Sequence, residues 1–574
     1  MKAIISFIIF ISLSVNAQKI YVPVGAPMNP KVDVKWNVFH TVKEVGEILQ
    51  KLAKAHPEYA KLISLGKSYN KHDMWLMTIT APGGLKASEK PAFWIDGGIH
   101  ANEIQSVEVP LYTAWYLLEM KEQSPIIKKL LQERTFYIMP MLSPDSRDEH
   151  MKNPNTTHTP RTGQRPIDDD KDGLIDEDGF DDIDKDGSIT LMRKKDPEGL
   201  FKEDPKRPGL MMRVAPGEKG QYTLLGTEGI DNDGDGRVNE DGNGSYDPNR
   251  NWPWNWQPPY IQRGSHNYPL SIPEVRMTAD AIIARPNIAG AQTYHNCGGM
   301  LLMGPGHKDD AYHKNDNSTY QKLASTGLRI LPGYKITVVH KDLYTVYGGE
   351  LDWFHKMRGV FCFNNELFTP YNLFHDENSH FMPNQTDMYD FDKLLLFNDG
   401  IAPWKEVDHP QYGKIEVGGF KKNWKRQPPS FMLEEECHRN MAFTLHHADQ
   451  MALVKIASVK TNKVKDGVYE VTVLLENNKV CPTHTQEDLK YKISPPNLLK
   501  LSGEKVKVLT TFHSQDSQFR HSQEQKKNPG SAKINIIAAQ GRAFVRYLVQ
   551  GQGKFKVAFK SIKSGRDSYE GNLE

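Results

Sequence analysis

The stretch Trp94-Ile95-Asp96-Gly97-Gly98-Ile99-His100-Ala101-Asn102-Glu103 decides how this chain is read. An apolar run of strand length stops at two glycines, and a helix-like segment follows from Ile104 to Met120. Between them a histidine and a glutamate stand three residues apart, which puts both side chains on one side of a turn. An imidazole and a carboxylate held together at the carboxyl end of a strand are two of the three protein ligands of a His2Glu zinc, with water in the fourth position. Taken alone, the pair reads more readily as a surface ion pair or a helix-end contact. The remaining residues decide between the two.

Working outward, Val42, Val45, Ile48, Leu49 and Leu52 recur at helical spacing, and Met74 to Thr80 and Phe136 to Leu142 read as strands. Met432 to Leu453 reads as a last helix before a change of composition. Apolar strands alternating with helices predict an α/β sheet covered on both faces, with functional groups at the carboxyl ends of its strands. Later strand ends carry such groups. Ala289 to His295 ends in a histidine, and Val360 to Glu366 ends in a carboxylate. Tyr344 leads a loop into Gly348-Gly349-Glu350-Leu351-Asp352-Trp353, and Asp247-Pro248-Asn249-Arg250 opens another ordered stretch. Prolines and aromatics between Phe368 and Pro429 read as long loops near a cleft.

Residues 151–245 interrupt this pattern with a polar insertion that contains an internal repeat. Asp168, Asp170, Asp172 and Asp176 in the first copy correspond to Asp231, Asp233, Asp235 and Asn239 in the second, each with a glycine after the third acid. Asp182, Asp184 and Asp186 begin a poorer third copy. Alternating oxygen ligands followed by glycine form the first part of a calcium loop. The glutamate expected at its twelfth position is replaced by Gly179 and Gly242, and no flanking EF-hand helices are evident. The expectation is a loop folded around structural calcium, the alternative a solvated acidic loop. Such hard oxygen ligands suit calcium and not zinc.

With 574 residues the chain calls for at least two domains. A net charge of +1 gives no reason to expect a nucleic-acid partner. Residues 1–17 have the charged start, short apolar run and small-residue end of a signal peptide, so a secreted or periplasmic protein with no membrane span in the mature chain is expected. Cys297, Cys362, Cys437 and Cys481 are too scattered for a disulfide framework and are expected as buried thiols, a Cys297–Cys362 bridge being the alternative. Residues 18–455 form the main domain. Residues 456–574, with strand-like runs such as Tyr469 to Leu475 and Gly553 to Phe559, predict a small all-β sandwich.

Together the segments from Phe39 to Leu453 resemble the zinc carboxypeptidase family, the carboxypeptidase A-like metallopeptidases of funnelin type. The resemblance implies a mixed eight-stranded sheet flanked by helices, with zinc held by His100, Glu103 and His295. It implies that Asn249 and Arg250 grip the carboxylate of a peptide or protein C-terminus, that Tyr344 is the mobile tyrosine, and that Glu366 is the general base. Leu351, just before Asp352-Trp353, falls in the side-chain pocket, which predicts a preference for hydrophobic C-terminal residues; an alignment slip of one would put Glu350 there instead. The transition-state arginine is harder to match because of the insertion. Leu191-Met192-Arg193-Lys194 resembles the family's segment best, so Arg193 is assigned, with Arg213 as rival. Ser143-Pro144-Asp145-Ser146 departs from the family's Asn-Pro-Asp-Gly, and no long activation segment is expected before Phe39. Two competing readings are a peptidase of peptidoglycan stem peptides in the same family and a calcium-stabilised binding protein on an inactive peptidase scaffold.

Overall fold

The structure is a computed structural model that describes residues 24–574 except 162, 169–171, 243, 245 and 377–383. The expected signal peptide and Asp170 lie outside the described residues. In chain order the main-domain strands are β1 (Ala60–Lys67), β2 (Asp73–Ile79), β3 (Ala92–Gly97), β4 (Thr135–Met139), β5 (Leu191–Lys195), β6 (Phe201–Asp204), β7 (Arg207–Arg213), β8 (Tyr222–Thr227), β9 (Ile288–Asn296), β10 (Met300–Met303), β11 (Lys335–Val338), β12 (Phe361–Leu367), β13 (Ile401–His409) and β14 (Gly413–Phe420). The order β1-β2-β4-β3-β9-β12-β10-β11 makes a mixed eight-stranded sheet. Its centre is parallel, β4 with β3, β3 with β9 and β9 with β12, so the carboxyl ends of β3, β9 and β12 open on one edge.

Helices cover both faces, as the alternating pattern requires. The Val42–Ala55 helix starts at Thr41, whose side chain caps the Glu44 amide while Glu44 returns to the Thr41 amide. Its stripe of Val45, Ile48, Leu49 and Leu52 joins a core with the Gln105–Met120 and Leu433–Gln450 helices. Each fully buried leucine there is worth about 1.5–3 kcal/mol of transfer free energy. Val275, Ala279, Trp252 and Trp353 fill the opposite face. The Gln105–Met120 helix is buried on nearly every side and contains Pro110, which leaves the Ser106 carbonyl without its intrahelical donor. Gly97 backs onto that carbonyl, where a Cβ would lie 2.0 Å from the oxygen. Gly98 then turns at φ +63°, a conformation that favours glycine. The two glycines thus let β3 end hard against the helix and swing the chain towards His100.

The insertion is more than the polar loop read from its composition. Its strands β5 to β8 join the hairpin β13–β14, drawn from the stretch read as long loops, in an antiparallel six-stranded sheet ordered β13-β14-β5-β8-β6-β7. The strands are short and mostly polar, and their small core of Met192, Ile415 and Val417 forms only across the long sequence gap. That is why local pattern concealed them. At the neck of the insertion the two acidic repeats lie against each other through an antiparallel bridge between Asp178 and Asp241. Asn232 Nδ2 donates to Asp178 Oδ1 at 2.9 Å, and the Asp176 amide donates to Asp241 Oδ2 at 2.8 Å. Just inside, the Arg165 amide donates to the Tyr246 hydroxyl at 3.2 Å, so the chain leaves and re-enters the main domain at one place.

After the Leu433–Gln450 helix the chain is all β apart from the short Gln486–Tyr491 helix: β15 (Val454–Lys465), β16 (Val468–Asn477), β17 (Asn497–Ser502), β18 (Val506–Ser514), β19 (Gln523–Glu524), β20 (Ser531–Ile534), β21 (Gly541–Gly551), β22 (Gly553–Ser561) and β23 (Gly565–Leu573). They form a five-stranded sheet, β15-β16-β21-β18-β19, and a four-stranded sheet, β20-β17-β22-β23. Alternate residues such as Val471, Val473, Tyr547 and Val557 meet in one core between them. The four cysteines are buried and none is in a disulfide. Among the described residues no helix is long and apolar enough to cross a membrane.

Candidate active site

His100 follows the β3 turn, Glu103 precedes the Gln105–Met120 helix, and His295 lies near the end of β9, in register with Glu366 on β12. All three candidate metal ligands are at most 2% exposed. His295 Nδ1 is 3.1 Å from both His100 Nδ1 and Glu103 Oε2, and His100 Nδ1 is 3.1 Å from Glu103 Oε1. Two imidazole nitrogens and a carboxylate oxygen converge here as lone-pair donors do around a cation. A tetrahedral zinc with bonds of about 2.0–2.1 Å has ligand-to-ligand edges of roughly 3.3 Å, so the donor types and the spacing both fit that ion. Asp247 Oδ1 takes the other nitrogen of His100, Nε2, at 3.0 Å and fixes the ring. Burial pushes the Asp247 carboxyl up, but Arg250, His100 and Arg161 together hold it well below the usual carboxylate range.

Glu366 stands across the cleft from Glu103. Burial foremost, with the Glu103 charge adding, pushes its carboxyl up to about 7, while His295, Arg426 and Arg161 pull the other way. A dication at the neighbouring ligands would draw it down again. Asn249 and Arg250 lie in a single helical turn, Pro248–Arg250, whose shape Asp247 sets by accepting from the Asn249 amide at 2.7 Å. Asn249 Oδ1 accepts from the Glu350 amide at 2.9 Å, which leaves its NH2 as the remaining donor end. Tyr344 is 56% exposed and borders both an open cleft and a small inner pocket.

Two connected spaces converge here. An open cleft of about 760 Å³ is lined by Glu103, Arg161, Asn296, Tyr344, Glu366 and Arg426, among others. A small inner pocket of about 60 Å³ is lined by His100, His295, Asn249, Arg250, Asp352 and Glu366 together with Leu302, Val339, Leu343, Val346 and Leu351. Leu351 therefore faces the pocket. Glu350 does not line it; its carboxyl is buried against Asp96, and burial and that neighbour raise it well above its ordinary value.

The structure places both arginines named from the sequence away from the cleft. Arg193 sits in β5, with Nε 2.6 Å from Glu416 and Nη1 2.9 Å from Glu203, and its guanidinium lies 4.0 Å from the Tyr222 ring and 4.2 Å from the Trp404 ring. Its rival Arg213 is an exposed residue at the end of β7. Neither lines the cleft. Arg161 does, with Nη1 3.0 Å from Glu103 Oε1 and Nε 3.5 Å from Asp247 Oδ2. The insertion misled the count along the chain. Arg161 lies near the start of the 151–245 stretch and Asp247 just beyond its end, and the neck at Arg165 and Tyr246 brings the two together in space. Arg426 was also missed. It reaches in from the segment after β14, donating through Nη2 to the Asn296 carbonyl at 2.6 Å and approaching Glu103 Oε1 at 3.4 Å.

In the acidic repeats, Asp231, Asp233 and Asp235 offer converging oxygens as expected, but further groupings cross the repeats: Asp172 with Glu177 and Asp233, and Asp178 with Asp233 and Glu240. A separate one joins Asp182, Asp184 and Glu228. Glu177 and Glu240, two residues before the glycines at the twelfth position, hold both carboxylate oxygens away from solvent with no hydrogen-bond donor. Asp176 Oδ1 instead accepts from the Ile167 amide at 3.4 Å, and Asp168 Oδ2 accepts from the Gly173 amide at 3.1 Å.

Comparison with known proteins agrees with this geometry. Rat carboxypeptidase A2 is 22% identical over 344 residues, 58% of this chain and 63% of that protein. Rat carboxypeptidase D is 26% identical over 148 residues, 26% of this chain and 11% of that protein. Human carboxypeptidase O is 29% identical over 113 residues, 19% of this chain and 29% of that protein. The chain thus spans less than a third of the latter two relatives and under two thirds of the first. Among solved structures, thrombin activatable fibrinolysis inhibitor is similar with a TM-score of 0.45 at 15% identity, over 72% of this chain and 77% of that one. Carboxypeptidase A of Helicoverpa armigera is similar with a TM-score of 0.41 at 18% identity, over 58% of this chain and 66% of that one. Residues 453–572 match a domain of unknown function. The zinc carboxypeptidase profile matches residues 45–164 and 224–391, taking in His100, Glu103, Arg161, Asn249, Arg250, His295, Tyr344 and Glu366 but neither Arg193 nor Arg213, and this chain belongs to the zinc carboxypeptidase family.

Proposed function

We propose that this chain is an exported zinc metallocarboxypeptidase that removes C-terminal residues from peptides or proteins and favours hydrophobic ones. One observation carries the reading: the buried His100–Glu103–His295 triangle borders a small pocket whose lining joins Asn249 and Arg250 to apolar residues. A guanidinium and an amide beside apolar side chains in so small a space suit a chain end, with its free carboxylate next to its last side chain. Export rests on the signal-like residues 1–17.

Zinc, when bound by His100, Glu103 and His295, supplies Lewis acidity and lowers the pKa of water. The protein's own groups do the rest. Asn249 and Arg250 take the terminal carboxylate through charge-assisted hydrogen bonds, and Tyr344 closes over it. Leu302, Val339, Leu343, Val346 and Leu351 receive the last side chain and exclude water from it. Glu366 accepts a proton from the attacking water and returns it to the leaving amine. Arg161 directs a fixed positive charge at the oxygen that becomes negative in the transition state.

The test is release of C-terminal residues from a matched peptide set. Phenylalanine and leucine should leave at least about tenfold faster than lysine and arginine, since Asp352, the lining acid besides Glu366, already accepts from the Tyr312 hydroxyl and the Gly306 amide, and a hydrophobic side chain discriminates at about this level. A zinc chelator should abolish release and added zinc should restore it. Faster release of lysine or arginine overturns the pocket reading. Activity on wall fragments alone would favour the stem-peptide alternative, and zinc binding without hydrolysis would favour an inactive scaffold.

The finer proposal of structural calcium is supported by the donor-free Glu177 and Glu240 carboxylates beside Asp172, Asp178 and Asp233, all hard oxygen ligands. Calcium at a hundredfold excess over its Kd would add about 2.7 kcal/mol, so a calcium-selective chelator should lower Tm by roughly 5 °C while the zinc content stays constant. An unchanged Tm would leave the solvated acidic loop as the better description.

A further inference from the structure

Leu351 and Asp352 of the inner pocket lie on one short helical segment, Glu350–Asp352 continuing as Trp353–Met357, and the far side of this segment is held by the C-terminal domain. Lys356 Nζ is 3.0 Å from Glu487 Oε1, and the two side chains are only 6% and 7% exposed. Glu487 belongs to the Gln486–Tyr491 helix. The Gln486 amide donates to both Asp316 oxygens at 3.1 and 2.9 Å, and Asp316 in turn lies 3.5 Å from His355 Nε2. Beyond the segment, Lys563 donates to the carbonyls of Arg358 and Gly359 at 2.6 and 3.0 Å and to Asp488 at 2.9 Å. The same domain thus grips the segment near its end and the turn that follows.

From this grip a continuous set of contacts runs to the pocket. The His355 ring stacks on Tyr312 with centroids 3.8 Å apart, and Lys356 Nζ stands 5.2 Å from the Tyr312 ring centre. The Tyr312 hydroxyl donates to Asp352 Oδ1 at 2.7 Å, and Asp352 Oδ2 accepts from the Gly306 amide at 2.8 Å. Asp352 and Gly306 both line the pocket. A buried ion pair has one favoured geometry, because a charge left without its partner away from water is strongly disfavoured. It therefore locates a segment more sharply than apolar contact alone.

We propose that the C-terminal β-domain is part of the specificity machinery, with Glu487 acting through Lys356 as a positioning residue that sets the pocket to the size of a large apolar C-terminal side chain. This rests on the carboxypeptidase reading. It gives the domain of unknown function a role in selecting among substrates of the main domain.

The test uses the full-length zinc-loaded chain and two peptides that differ only in a C-terminal phenylalanine or alanine. Glu487→Gln keeps the shape and removes the charge. Its ratio of kcat/KM for phenylalanine over alanine should fall about tenfold, carried by KM for the phenylalanine peptide, with both kcat values within twofold of wild type. The double variant Glu487→Leu/Lys356→Met replaces the pair by apolar groups of similar volume and should return the ratio to within threefold of wild type. An unchanged ratio in Glu487→Gln, or an equal loss for both peptides, overturns the proposal. A wild type that hydrolyses neither peptide would instead strike the carboxypeptidase reading, so the two failures are distinct. Competition by free phenylalanine gives a second readout of the pocket, with a tenfold weaker inhibition constant expected for Glu487→Gln and an unchanged one counting against the role of Glu487.

Discussion

Glu366→Gln is expected to lower the rate of C-terminal residue release by about 10²- to 10⁴-fold, the range a positioned general base contributes, while zinc content stays near one per chain. The substitution keeps the size of the side chain at the end of β12 and removes only its ability to take a proton. The metal ligands sit on other segments, His100 and Glu103 between β3 and the Gln105–Met120 helix and His295 on β9, so metal binding should not follow activity down. Metal analysis beside a kinetic assay separates the two. Activity within tenfold of wild type would remove Glu366 from the role of base; loss of zinc in step with activity would show the residue acting through the metal site.

The second expected result discriminates between arginines. Arg161→Ala should cost about 10²- to 10³-fold in kcat, as removal of one preorganised donor at a developing oxyanion does. Arg193→Ala should cost stability and spare the rate. Its guanidinium is held between Glu416 and Glu203 and stacked on Tyr222 and Trp404, so the variant loses an ion-pair network and two ring contacts of the six-stranded sheet, about 2–3 kcal/mol in stability, and should leave kcat within about threefold. A large kcat loss in Arg193→Ala with Arg161→Ala unaffected would restore the assignment made from sequence and refute the one made from structure.

The contrast between these arginines shows what kind of information each source held. His295 and Glu366 were legible because each stands near the end of an apolar strand, His100 and Glu103 because they follow one within a few residues, and a parallel sheet brings strand ends to one edge whatever the spacing between them. Asn249-Arg250 and Leu351 were legible because each belongs to a short motif whose local turn is written in neighbouring glycines, prolines and aspartate. Arg161 was not, because its place depends on how far apart the ends of the insertion are in space. The Tyr246 hydroxyl and the bridge between Asp178 and Asp241 close that distance, and neither contact leaves a mark in local pattern. Arg426 is a stronger case, since it enters the cleft from a segment read as loop.

The insertion shows the same division. Its acidic repeat was plain in the sequence, and so was the chemistry of hard oxygen ligands. Beside the Asp231–Asp233–Asp235 grouping within one copy, two others cross between copies, with Asp233 shared and Glu177 and Glu240 drawn in, because the two repeats pack against each other.

By itself, then, the sequence pointed to the class of sheet, the candidate metal ligands, the candidate carboxylate grip and the apolar character of the pocket, all properties carried by residue type and short-range period. Tertiary structure alone decided which arginines line the cleft, which acids face one another in the repeats, and that the pocket helix is held from behind by Glu487 and Lys563. These depend on the meeting of segments tens to hundreds of residues apart, and the burial and pairing that select such contacts exist only once the chain has folded.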